Sequence, residues 1–147
     1  MNFDDIRPYR DEEVKDKIKN LIAEEQFQQM IGFIRPDVDF EEMKQLMENI
    51  STVYDFQSKF IVPLLDVLIG KTTNGVSFHG LENLEKGKSY LFVSTHRDIV
   101  LDSALMNYVL LKQGYETAEI AIGDNLMKIP WIVDLVKLNK TSYIFAF

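Results

Sequence analysis

The chain has 147 residues, 46% of them hydrophobic and 27% charged, a balance that belongs to globular rather than disordered proteins. Its formal net charge of −7 argues against nucleic acid as principal partner, because phosphate binding needs a clustered basic surface, and it weakens adhesion to anionic lipid by charge alone. With no cysteine and only two histidines, His79 and His96, the chain offers no disulfide, no thiol nucleophile and no histidine-rich metal site.

The segment Met1–Asp5 lacks a basic start and an apolar stretch, so no signal peptide is expected and a reducing, cytoplasmic setting fits. From about Arg10 to Ile69 the pattern is helical. Val14, Ile18, Leu21 and Ile22 recur at helical spacing and continue through Phe27, Met30, Ile31 and Ile34, which predicts one helix ended by Pro36. Asp11, Glu12 and Glu13 suit the positive end of its dipole. A second helix is predicted from Asp39, with Met43, Leu46, Met47, Ile50, Val53 and Tyr54 on one stripe, running on toward Phe60. Pro63 fits the first turn of a further short helix. The run Phe60–Ile69 is too short to span a bilayer and carries Pro63 and Asp66.

Lys71-Thr72-Thr73-Asn74-Gly75 is turn-rich and predicts a boundary between a helical segment, residues 1–72, and a second part, residues 73–147. Val76–His79 alternates as a short strand, and Tyr90–Ser94 reads as a buried strand. A helix from Ile99 or Asp102 to Lys112 stops at Gly114. Ala118–Gly123 predicts a strand, Pro130–Leu138 a helix and Ser142–Phe147 a last strand. The order implies an α/β fold with a partial, mostly parallel sheet and crossover helices.

One heptapeptide concentrates the chemistry: His96-Arg97-Asp98-Ile99-Val100-Leu101-Asp102. It lies where an expected strand hands over to an expected helix, the crevice in which open α/β sheets usually bind ligands. An imidazole beside a carboxylate can take a proton from a hydroxyl near neutral pH. A histidine at a strand end is ordinarily just a polar residue, and Asp102 could equally be a first-turn carboxylate. Asp98 reads as a turn former, and Ser94 and Thr95 as hydroxyl caps. Gly123-Asp124-Asn125-Leu126 follows a buried strand and could line the same cleft, although a turn and helix cap explain Asp124 and Asn125 as well.

Gly80-Leu81-Glu82-Asn83-Leu84, Tyr90 to Arg97 and Leu101-Asp102 together resemble the first conserved block of the glycerolipid acyltransferases, the glycerol-3-phosphate and 1-acylglycerol-3-phosphate enzymes. The similarity runs from about Gly75 to Lys140. The family's signature is a histidine, four residues and an aspartate; here five residues separate His96 from Asp102, and Asp98 is a competing partner. The resemblance implies transfer of a fatty acyl group from a thioester on acyl carrier protein or coenzyme A to a glycerol-phosphate hydroxyl in phospholipid synthesis. It implies His96 as general base and Asp102 as the carboxylate that orients it, in the manner of a serine-protease triad without the serine. Arg97, Asp98, Asp124 and Asn125 are the implied substrate contacts. No metal and no cofactor beyond the thioester co-substrate are implied, and a peripheral meeting with the membrane is left open.

The family's later blocks supply an arginine after a strand and a glutamate-glycine motif. The last expected strand carries no basic residue, and no glutamate-glycine pair occurs. The chain is therefore expected to be truncated, to use another acceptor or to be inactive. A non-catalytic acyltransferase-like module that binds lipid or protein is the alternative. A hydrolase fits less well, for want of a Gly-x-Ser-x-Gly elbow.

Overall fold

The computed structural model describes residues 3–95, 97–98 and 101–144, and of Leu126 the backbone alone. The fold is α/β and rich in helix. Helices α1 (Asp11–Ala23), α2 (Glu25–Ile34), α3 (Phe40–Glu48), α4 (Val53–Phe56) and α5 (Val62–Thr72) come first. After a long connection follow α6 (Leu101–Lys112), β1 (Ile120–Gly123), α7 (Pro130–Leu138) and β2 (Thr141–Ile144). The two strands are parallel, with Ile120 opposite Thr141 and Gly123 opposite Ile144. The intervening α7 makes them a β-α-β unit, the crossover that parallel pairing requires.

Local chemistry explains several helix ends. Glu13 reaches back to accept the Arg10 N–H at 2.8 Å, satisfying a donor that α1 leaves without an intrahelical partner. Asp39 caps α3 by accepting from Glu41 N–H at 2.8 Å, and the Thr52 hydroxyl caps α4 by accepting from Asp55 N–H at 3.0 Å. A π-helical stretch, Gln57–Ile61, joins α4 to α5 just ahead of Pro63. A proline cannot donate to the carbonyl four residues back and its ring crowds that carbonyl, so a widened turn there relieves the clash. At the end of α6, Gly114 takes φ +74°, while its N–H bonds Leu111 O and the Tyr115 N–H bonds Leu110 O. That is a Schellman stop, which needs the left-handed conformation glycine tolerates.

The core is built by Val14, Ile18 and Leu21 of α1, Phe27 and Ile31 of α2, Met47 of α3, Phe56 of α4, Phe60 and, from the far end of the chain, Leu138 of α7. Trp131 and Leu135 of α7 pack against it. Polar contacts reinforce this seam: Tyr9 OH donates to Asp134 at 2.5 Å and Trp131 Nε1 to Gln26 at 2.9 Å. Gln57 is buried, accepting from the Thr117 hydroxyl at 2.8 Å and donating to Asn139 at 3.0 Å.

Several expectations change. The single helix over 10–34 breaks at Glu24, because α2 must turn to bring Phe27 and Ile31 into the core; the Gln28 amide covers the exposed end of α1 by donating to Ile22 O at 2.9 Å. The second helix ends at Glu48 instead of running toward Phe60, and Thr52 starts a new one. Val76–His79 and Tyr90–Ser94 are not strands. Both are exposed, with Leu91 and Val93 at 89% and 87%. An extended segment becomes a strand only with a ladder partner, and among the described residues β1 and β2 pair only with each other. The last strand is present as Thr141–Ile144, and residues 145–147 of the expected Ser142–Phe147 lie outside the described residues. Among the described residues no helix is long and apolar enough to cross a membrane.

Candidate functional site

The heptapeptide occupies the entry to α6. His96, Ile99 and Val100 lie outside the described residues; Arg97, Asp98, Leu101 and Asp102 lie within them. The half-buried Asp102 sits in the first turn of α6, where the helix dipole favours a carboxylate. Its Oδ2 accepts two backbone N–H groups, from Arg97 at 2.7 Å and from Asp98 at 2.9 Å. Asp98 is exposed and points the other way along the chain, its Oδ1 accepting the Leu101 N–H at 2.8 Å. The sequence left these two carboxylates as rivals. In the structure both bind backbone, Asp98 as the helix-entry turn former and Asp102 as a clasp on the preceding turn. Arg97 is exposed.

Beside this turn lies a groove of about 1340 Å³. Residues 84–95 line it together with α6 and residues 114–123. From α6 it takes Asp102, Ser103, Met106 and Leu110, one face at helical spacing, so the carboxylate and an apolar stripe share one wall. Ile120 and Ile122 of β1 add apolar surface. Thr95 lines it too, adjacent in the chain to His96. Asp102, expected as the carboxylate that orients the base, lines the groove, as does Gly123, whereas the expected substrate contacts Arg97, Asp98, Asp124 and Asn125 are outside its lining among the described residues. Asp124 and Asn125 instead form a short 3₁₀ turn after β1. The Asn125 amide folds back over Gly123, where a Cβ would stand 2.5 Å from Asn125 Oδ1, so the glycine makes room for that turn.

Two side chains that hold the groove walls were not anticipated. Asn107, buried on α6, donates from Nδ2 to Ala118 O at 3.0 Å and accepts the Ala118 N–H on Oδ1 at 2.9 Å. Its carboxamide mimics a peptide group and pins the approach to β1 onto α6. The signal was a lone asparagine inside the apolar run Leu105 to Leu111. On the opposite side of α6, Asp66 of α5 accepts from Tyr108 OH at 2.5 Å and from Lys112 Nζ at 2.8 Å. Lys112, through a hydrogen bond, holds the Asp66 carboxyl below the usual carboxylate range, with Tyr108 adding to the shift. A tyrosine and a lysine four apart on a predicted helix share a face, but nothing local names their partner.

Among the described residues no group of three or more histidine, cysteine, aspartate or glutamate side chains could hold a metal ion. No curated protein and no solved structure matches the chain. One family does: residues 75–146, just under half of the chain and including the whole heptapeptide, match the family model described as Acyltransferase.

Proposed function

We propose that this chain transfers a fatty acyl group from a thioester, carried on acyl carrier protein or coenzyme A, to a hydroxyl of a glycerol phosphate, as a step of phospholipid synthesis. The observation that carries the reading is the family match over residues 75–146, which contains the His96–Asp102 block. A groove with an apolar wall that ends in a carboxylate at Asp102 is compatible with an acyl chain beside a polar reacting centre.

In this reading the imidazole of His96 accepts the proton of the acceptor hydroxyl as its oxygen attacks the thioester carbonyl. The tetrahedral oxyanion then collapses, the carbon–sulfur bond breaks, and the departing thiolate takes the proton back from the imidazolium. The negative charge of Asp102, six positions on in the chain, favours the imidazolium while it lasts. Arg97 offers a planar fork for the acceptor phosphate. The product is amphipathic, so the reading includes a peripheral meeting with a membrane surface. Labelled acyl thioester and glycerol-3-phosphate incubated with the wild-type chain and with His96→Ala test it. Transfer by the first and a loss of about 10²–10⁴-fold in the second is expected; an active His96→Ala variant would overturn the assignment.

A further inference from the structure

We propose that residues 3–9 form a strap that masks the outer edge of β2 and keeps two copies of this chain from pairing through it. The device is independent of the acyl-transfer reading. The Ile120 N–H donates to Lys140 O at 2.9 Å, so the backbone groups of Lys140 and, two residues on, of Ser142 turn toward β1. Those of Thr141 and Tyr143 turn the other way. The Tyr143 N–H accordingly leaves the sheet and donates to Ile6 O at 3.1 Å.

That main-chain bond is backed by side chains on both sides of it. Lys137 of α7 donates from Nζ to Asp5 O at 2.8 Å, and its carbonyl accepts the Tyr9 N–H at 3.3 Å. The same Nζ lies 4.8 Å from the ring centroid of Tyr9 and 5.6 Å from that of Tyr143, a cation shared by one ring of the strap and one of the strand. Tyr9 OH donates to Asp134. Arg7 ties the strap to itself and to α1, with Nε on Asp4 at 2.8 Å and Nη1 on Glu13 at 2.7 Å. Residues 6–9 are half-buried as a result.

An edge strand offers a row of N–H and C=O groups to any second chain, and proteins blunt it with charges, prolines, bulges or a covering segment. Thr141-Ser142-Tyr143-Ile144 carries no charge and no proline, and Ile144 is exposed. The strap is the cover. A second copy fits what it uncovers, because antiparallel pairing of two β2 strands about a twofold axis sets four uncharged residues against themselves, with no like charges opposed in the strands.

Amide hydrogen exchange and light scattering on the full chain test the device. Arg7→Ala combined with Tyr9→Phe removes the anchors on Asp4, Glu13 and Asp134 while keeping the ring at position 9. Exchange at Tyr143 is expected to rise about tenfold or more in dilute protein, with Ile18 and Leu21 of α1 still protected. Across a concentration series the wild type should stay monomeric and the variant should form dimers. Adding Ile144→Lys, a charge on the uncovered edge, should return the variant to monomer. If the double variant loses protection in α1, Arg7→Ala alone is read in the same way. Unchanged exchange at Tyr143 defeats the strap. Faster exchange in a chain that stays monomeric defeats the masking role, as do dimers of the wild type or dimers that survive Ile144→Lys.

Discussion

Asn107 and Ala118 exchange two hydrogen bonds, at 2.9 and 3.0 Å, through which a side chain of α6 completes the backbone of the segment that becomes β1. Replacing Asn107 by leucine removes both at once and leaves the Ala118 N–H and C=O to find other partners. A buried backbone group without one costs about 1–3 kcal/mol. Asn107→Leu is therefore expected to lower the urea midpoint by an amount equivalent to about 2 kcal/mol, with the slope unchanged. A midpoint equal to wild type would show that the pairing carries no stability.

Lys137 gives a pH signature. It is only 5% exposed, its Nζ donates to Asp5 O at 2.8 Å, and it lies over the rings of Tyr9 and Tyr143. Burial, with the nearby Arg7, pushes its pKa down. The folded chain then releases this proton before the unfolded chain does, whose lysines titrate near about 10.4. Between the two values the unfolded state binds more protons, so this residue makes stability rise with pH in that window. Tyr9 acts in the opposite sense. Burial first, and then its bond to Asp134, raise its pKa, so its contribution falls once the unfolded tyrosine ionises above about pH 10. Urea melts at about pH 7 and about pH 9.5 should show a gain for wild type that Lys137→Met lacks. An equal gain in the variant would remove Lys137 as its source.

The Asp66–Tyr108–Lys112 cluster makes an acid-side prediction. The Asp66 carboxyl titrates below its ordinary value because of Lys112 and Tyr108. Its contribution is present above the unfolded value near 3.9 and is lost as pH falls through the lowered one. The side chains of Asp66 and Lys112 are nearly half exposed, so solvent and salt limit the effect to under about 1 kcal/mol. Asp66→Asn should flatten the acid limb of the stability curve below about pH 4 and make the remainder less dependent on salt. A variant with an unchanged acid limb would contradict the assignment.

What the sequence disclosed follows the range of the forces involved. Gly114 announced the end of α6, Asp39 the start of α3 and Pro130 the start of α7, because caps and stops act within a few residues. The likeness over residues 75–146 to the family described as Acyltransferase was legible for the same reason, through short runs of specific residues. Tyr90–Ser94 was not. Its apolar run satisfies the local rule for a buried strand, but pairing depends on a neighbour that is remote in sequence, and among the described residues it has none. The break at Glu24 carries no proline or glycine; packing of Phe27 and Ile31 decides it. At the site, residue types left Asp98 and Asp102 as rival partners of His96, which lies outside the described residues; their bonds to the Leu101, Arg97 and Asp98 amides are backbone contacts that residue types alone do not name. Thr52 could have marked the end of the second helix, since a threonine three residues ahead of an aspartate in the next helical run is a capping signal.

The most direct test of the central claim is transfer of a radiolabelled acyl group from a thioester to glycerol-3-phosphate, measured side by side for the wild-type chain and His96→Ala. Labelled lysophosphatidic acid formed by the first, and lost by about 10²-fold or more in a His96→Ala protein that still unfolds cooperatively, is the predicted result. Equal transfer by both proteins, or none by a folded wild-type chain, contradicts the account.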